Sequence, residues 1–268
     1  MSLPLICVTL TGCTVDEMVK DAARATAVGA DIVEVRLDKL WVVEQEIDTA
    51  EKVKSDSDDN RKSVYIAPEF ISQTMDSVDL ESSLISFRTG IELPVILTCR
   101  PERQGGHFPG SEKERIDVLT KAINSGVSWI DLETDIESKE RKKLVKLAGD
   151  STKIISSNHY DQSPGSSDEI IEEIDEISDS GNIIKIVFNT SGKKDALKLF
   201  DVAWRTRESK DKLSIMGIGA GGDWTRIHAP LLNQSMVYTT MENGWYLAQQ
   251  GRINTSDLKT AWKLLEYN

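Results

Sequence analysis

Eight short runs rich in branched apolar residues recur along the chain, at residues 5–10, 31–37, 95–99, 129–134, 153–157, 183–188, 213–218 and 236–240. Charged stretches with helical spacing separate them, at 15–28, 112–125, 138–147, 167–178, 194–207 and 255–265. Strands alternating with helices build parallel βαβ units, because a parallel neighbour is reached only by a long crossover. Eight such strands in 268 residues suit a closed (β/α)8 or TIM barrel, which takes about 250 residues in one domain, better than an open doubly wound sheet. Counting alone does not decide closure. The expectation is a single α/β domain over residues 1–268 with an irregular insertion around 39–92. Within that insertion, residues 52–63 form a polar run of mixed charge, expected as a solvated loop, and 64–71 has the pattern of an extra hairpin or ninth β segment.

Neither familiar nucleotide fingerprint is present: no early strand leads into GxGxxG, and GxxxxGK[ST] is absent. A glycine-rich turn, Gly217, Gly219, Gly221 and Gly222, follows the seventh run, where barrels often hold anionic groups, but a plain tight turn explains it equally well. A net charge of −12 argues against a nucleic-acid partner, since phosphate binding needs a concentrated excess of Lys and Arg. Cys7, Cys13 and Cys99 form no CxxC or Cys/His cluster, so neither a disulfide framework nor a metal site is expected. No run approaches the ~18 apolar residues of a membrane span, and the N-terminal residues lack the features of a signal peptide. A protein of the cytoplasm, off the membrane, is the expectation.

Several residues stand where burial is costly. In Ile32-Val33-Glu34-Val35-Arg36-Leu37-Asp38 the charges alternate with apolar residues and so share one strand face, which points inward if helices cover the other. The same pattern suits an exposed edge strand, or a Glu34–Arg36 ion pair of purely architectural use. Lys185 interrupts Ile183-Ile184-Lys185-Ile186-Val187-Phe188, otherwise a fully buried strand. Desolvation or nearby positive charge lowers an ammonium's pKa and releases the neutral amine that attacks carbonyls; the alternative is a lysine that snorkels to the strand end. His159 follows the fifth run, at the strand end where barrel enzymes place catalytic groups, whereas surface or packing roles suffice for His107 and His228. Arg100 and Arg226 could each fork onto a carboxylate, or be ordinary surface residues.

These residues together resemble the type I 3-dehydroquinate dehydratases. Ile6-Cys7-Val8-Thr9-Leu10 is similar to the family's opening strand, Glu34-Val35-Arg36-Leu37-Asp38 to its second, and Arg100 with Gly105-Gly106 to its third-strand arginine and the paired glycines beyond. Ser156-Ser157-Asn158-His159-Tyr160-Asp161 resembles the histidine signature, Lys185-Ile186 the Schiff-base strand, and Met216-Gly217 with Arg226 the seventh strand and its arginine. Three departures stand out. Gln104 occupies the place usually held by Glu, the substrate-covering loop reads Ala248-Gln249-Gln250-Gly251-Arg252, and the stretch between Asp38 and Pro94 is long.

The resemblance implies a lyase of the shikimate pathway that dehydrates 3-dehydroquinate to 3-dehydroshikimate through an imine on Lys185, with His159 moving protons. Arg226 would take the carboxylate, and Thr9, Glu34, Arg36, Arg100, Gln104, Gln249 and Arg252 would complete the substrate site. No metal or dissociable cofactor is called for, and a homodimer is expected. Two rival readings are another Schiff-base lyase or aldolase on the same barrel and a catalytically lapsed homologue that only binds a ligand.

Overall fold

The computed structural model describes residues 3–45, 68–244 and 246–267. Its strands are β1 (Leu5–Thr9), β2 (Ile32–Arg36), β3 (Val42–Gln45), β4 (Glu69–Ser72), β5 (Val95–Thr98), β6 (Trp129–Glu133), β7 (Lys153–Tyr160), β8 (Ile183–Thr190), β9 (Leu213–Gly219) and β10 (Met236–Thr239). Helices are α1 (Val15–Val28), α2 (Leu80–Gly90), α3 (Glu112–Asn124), α4 (Ser138–Ala148), α5 (Ser167–Glu176), α6 (Lys193–Arg205), α7 (Trp224–Ile227), α8 (Tyr246–Gln249) and α9 (Thr255–Leu264). Eight strands pair in parallel in the order β10-β1-β2-β5-β6-β7-β8-β9, the curled sheet of a (β/α)8 barrel.

Closure, which counting could not decide, is completed by one backbone hydrogen bond and two that use side chains. Between β9 and β10 the Ser235 N–H donates to the Leu213 carbonyl (2.8 Å), and Ser214 Oγ donates to the Met236 carbonyl (2.7 Å). Gln234 Oε1 accepts from the Ile215 N–H at 2.7 Å. An amide side chain thus satisfies a strand donor that a ladder would otherwise pair.

The alternation read in the sequence sets the layers. Val33, Val35 and Leu37 face outward into a core shared with Met18, Ala22 and Ala25 of α1. Inside, Cys7, Ile32, Ile96, Trp129, Ile155, Ile183 and Met236 form an apolar plug. One pleat further toward the strand C-termini the inward positions turn polar, which raises the site on a dry floor. Helix starts follow capping chemistry: Thr14 with Glu17, Ser111 with Glu114 and Ser166 with Glu169 form reciprocal boxes before α1, α3 and α5.

One feature of the insertion departs from the sequence pattern, and another agrees with it where the residues are described. Helix α2 has no strong helical signal in Leu80-Glu81-Ser82-Ser83-Leu84-Ile85-Ser86-Phe87, yet it forms because Leu80, Leu84 and Phe87 are buried, each such side chain contributing roughly 1.5–3 kcal/mol, and Asp79 caps its first turn. The extra β segment is real where described: β4 pairs antiparallel with β3 as a separate two-stranded sheet, so it adds nothing to the barrel. Residues 64–67 and the polar run 52–63 lie outside the described residues.

Candidate active site

A cavity of about 440 Å³ opens at the C-terminal ends of the strands. Thr9, Glu34, Arg36, Arg100, Gln104, His159, Lys185, Arg226 and Arg252 all line it, from strands and loops spread over the whole sequence. Gln249 does not: it is exposed on α8, outside the lining.

Lys185 is 2% exposed, because its strand is covered by helices on one side and by the barrel interior on the other. Its Nζ lies 2.8 Å from Asp131 Oδ2, 3.3 Å from the Tyr238 hydroxyl and 3.7 Å from Glu34 Oε1. The neighbours of this amine are therefore carboxylates, where the sequence reading allowed for positive charge. Glu34 accepts from Thr9 Oγ1 (2.8 Å) and Thr98 Oγ1 (2.9 Å), and Lys185 is its ion-pair partner.

Arg100 is the hub of a buried charge network. It donates to Asp131 Oδ2 (3.0 Å), Glu133 Oε1 (2.6 Å) and Ser157 Oγ (2.9 Å), while Arg115 reaches in from α3 to Glu133 Oε2 at 2.6 Å. Burial alone raises a carboxyl group, but Arg100 and Lys185 hold Asp131 well below the usual carboxylate range. Sequence reasoning missed Asp131 and Glu133. Their signal was present, for they alternate with apolar residues in β6 as Glu34 and Arg36 do in β2.

The Glu34–Arg36 ion pair, one of the alternatives for this strand, does not form: Arg36 forks onto Asp38 at 2.8 and 2.7 Å. Asp38 in turn accepts from the backbone N–H groups of Arg100 and His107, tying β2 to the loop after β5. That loop turns at Gly105, whose φ of +73° suits glycine, and a Cβ on Gly106 would stand 2.0 Å from the Arg100 carbonyl oxygen. The close fit brings Gln104 under His159, whose backbone N–H donates to Gln104 Oε1 at 3.1 Å.

His159 shares the inward face with Lys185. Ser157 pairs with Lys185 and His159 with Val187 in the β7–β8 register, so the imidazole stands one pleat above the amine. Its Nδ1 is buried with no hydrogen bond among the described residues. Burial, then the charges of Arg100 and Lys185, push His159 well below 6.5, so the ring is neutral at neutral pH. Since the unfolded chain binds the proton first, this group's contribution to stability is complete above pH 6.5 and is lost as pH falls below it toward the folded value. The acid limb of kcat/KM set by this ring is expected below pH 6.5; rates measured from about pH 8 to about pH 4.5 check it, and a limb at or above 6.5 contradicts it.

Arg226 is 4% exposed and makes no ion pair among the described residues. Instead its Nη1 donates to the carbonyls of Gly217, Gly222 and Gly251 at 2.7, 2.7 and 2.9 Å, and its Nε to that of Tyr238 at 2.9 Å. The glycine-rich turn thus presents carbonyls to a guanidinium. Burial, with the charge of Arg252 adding and Asp223 opposing, lowers Arg226 to about 10, still charged at neutral pH. A buried cation held by dipoles alone favours an anion in the cavity. Arg252, at the rim, is paired with Glu242 at 2.8 Å and bonded to Thr240 Oγ1 at 3.1 Å.

A primary amine among carboxylates is suited to hold a cationic imine, and a neutral imidazole above it to move protons at the next carbon. Fold and site together are those of a (β/α)8 barrel with a buried lysine and a histidine at the C-terminal ends of its strands. Residues 6–268 match the profile of the type I 3-dehydroquinase family, and the chain belongs to that family. The 3-dehydroquinate dehydratase of Methanosarcina barkeri is 28% identical over 251 residues, covering 91% of this chain and 88% of that protein. Its counterpart from Methanopyrus kandleri is 26% identical over 262 residues, covering 97% and 100%. Among solved structures, 3-dehydroquinate dehydratase from Geobacillus kaustophilus superposes with a TM-score of 0.77 at 18% identity, covering 99% of this chain and 92% of that one. At that identity the likeness bears on the fold.

Proposed function

We propose that the chain dehydrates 3-dehydroquinate to 3-dehydroshikimate, a step of the shikimate pathway, through a Schiff base on Lys185. The observation that carries this reading is the buried amine of Lys185 between Asp131 and Glu34 with neutral His159 one pleat above it. Nζ attacks the ketone, water leaves, and the resulting iminium draws electrons from the adjacent C–H bond. Asp131 and Glu34 stabilise that cation where the medium screens poorly. His159 takes the proton from carbon 2 and delivers it to the departing hydroxyl at carbon 1. Hydrolysis of the imine then frees the product. Arg226 takes the substrate carboxylate, and Arg36, Arg100 and Gln104 set the positions of the groups around it. Conversion of 3-dehydroquinate, followed by the absorbance of the conjugated product, tests the reaction; no conversion by the purified protein overturns it.

Arg252 contributes to substrate closure in this reading, supported by its place in the cavity lining. Its pair with Glu242 is partly exposed, and such pairs are worth only ~0–1 kcal/mol, so little stability depends on it. Arg252→Gln is expected to raise KM several-fold while leaving the melting temperature nearly unchanged. Steady-state kinetics beside thermal unfolding check this, and an unaltered KM with a damaged Gln250→Ala would move the contact to Gln250. A homodimer in the cytoplasm completes the proposal on the family resemblance; sedimentation velocity tests the assembly. No helix among the described residues is long and apolar enough to cross a membrane.

A further inference from the structure

Tyr238 enters the site from β10, two strands from Lys185 on β8 across the seam, while Asp131 enters from β6, two strands away on the other side. The Tyr238 hydroxyl lies 3.3 Å from Lys185 Nζ and its ring centroid 4.4 Å from the same atom. That hydroxyl accepts from Nζ, and its own proton has no acceptor among the described residues. A buried phenol with an uncommitted proton beside a nucleophilic amine is a costly arrangement unless the proton is used.

The chemistry supplies a use. When the neutral amine attacks a ketone, the nitrogen lone pair forms the N–C bond and the carbonyl π pair moves to oxygen. The first adduct carries N⁺–H and O⁻ on one carbon. Before water can leave, nitrogen must lose a proton and oxygen must gain one. A hydroxyl within hydrogen-bond reach of Nζ also reaches the geminal oxygen, because both atoms share one carbon. We infer that Tyr238 carries out this exchange, giving its O–H proton to the alkoxide oxygen and taking the N–H proton in return. The phenol is regenerated in the same step, so no further acid, base or cofactor is consumed. Asp131 is unsuited to this exchange, because it is held ionised and its oxygens are occupied by Arg100, Ser157 and Lys185. Burial, followed by the charge of Glu34, raises Tyr238 well above 10 and keeps the phenol protonated.

This inference rests on Lys185 being the imine-forming residue, and the test separates the two. Wild type and Tyr238→Phe are mixed with 3-dehydroquinate, quenched with borohydride at successive times, and mapped for modified Lys185; turnover is measured in parallel with substrate deuterated at carbon 2. Phe keeps the ring and removes only the hydroxyl. Trapping is expected to slow by about 10-fold or more, with kcat falling more than KM. The carbon-2 isotope effect should shrink toward unity as imine formation becomes limiting. An unchanged trapping rate, or slower turnover with the isotope effect intact, overturns the inference, since a mere packing defect does not change which step limits. If Tyr238→Phe fails to fold, the wild-type trapping rate in mixtures of light and heavy water decides: a curved dependence marks two protons in flight, and a linear one rejects the exchange. Wild type that is never labelled at Lys185 rejects the Schiff-base reading itself, and this one with it.

Discussion

Lys185→Ala is expected to abolish both turnover of 3-dehydroquinate and borohydride labelling of the protein. The amine is the larger requirement of the chemistry, because without the iminium the proton at carbon 2 is only weakly acidic and no other described group in the cavity can act as the electron sink. Loss of a covalent route of this kind costs on the order of 10⁴-fold or more in turnover. The fold should survive the change. Asp131 keeps Arg100 and Ser157, and Glu34 keeps the hydroxyls of Thr9 and Thr98, so neither carboxylate loses all its partners. Circular dichroism checks the fold, and peptide mapping after borohydride checks the label. Labelling at another lysine, or turnover near the wild-type rate, would defeat the assignment.

His159→Ala is expected to cut kcat by at least about 10²-fold, the usual cost of a lost proton carrier, while leaving an intact fold and a trappable adduct. The geometry explains why stability is spared. Nδ1 has no partner among the described residues, so truncation leaves no side-chain donor or acceptor newly unpaired there, and the hydrogen bond to Gln104 comes from the backbone and persists. Rapid-quench trapping of the adduct beside steady-state turnover separates the steps. A mutant with near-normal kcat would show that the ring only packs.

Much of this architecture was legible because local patterns carry it. Inward charges in β2, the lysine in β8 and the histidine at the end of β7 each break an apolar strand pattern, and that breach is a local signal. Asp131 and Glu133 broke the pattern of β6 in the same way. Tyr238 left no comparable mark, since an aromatic residue in a strand is ordinary. Whether it packs or touches Nζ depends on how barrel closure brings β10 round β9 toward β8.

The sequence by itself determined the alternation of strand and helix, the face on which each charge would stand and the residues able to act as nucleophile and base, because strand period, helix period and capping depend on near neighbours. Tertiary structure alone decided who pairs with whom. Arg36 could meet Glu34 or Asp38 on the same strand face, and the backbone donors of Arg100 and His107 helped settle it for Asp38. Arg226 could have been a surface residue, and only the convergence of the nearby Gly217 and Gly222 carbonyls with that of Gly251 from a later loop made it a buried cation with no ion pair among the described residues. Closure, too, needed β9 and β10 to meet through Gln234 and Ser214, a contact between chain segments whose residues give no sign of it on their own. The physical reason is common to all three: the energy of a buried charge or polar group depends on the partners that folding brings within about 3 Å, and which candidates reach that distance is set by the fold, whether they are near in sequence, as Asp38 is to Arg36, or far, as Gly251 is from Arg226.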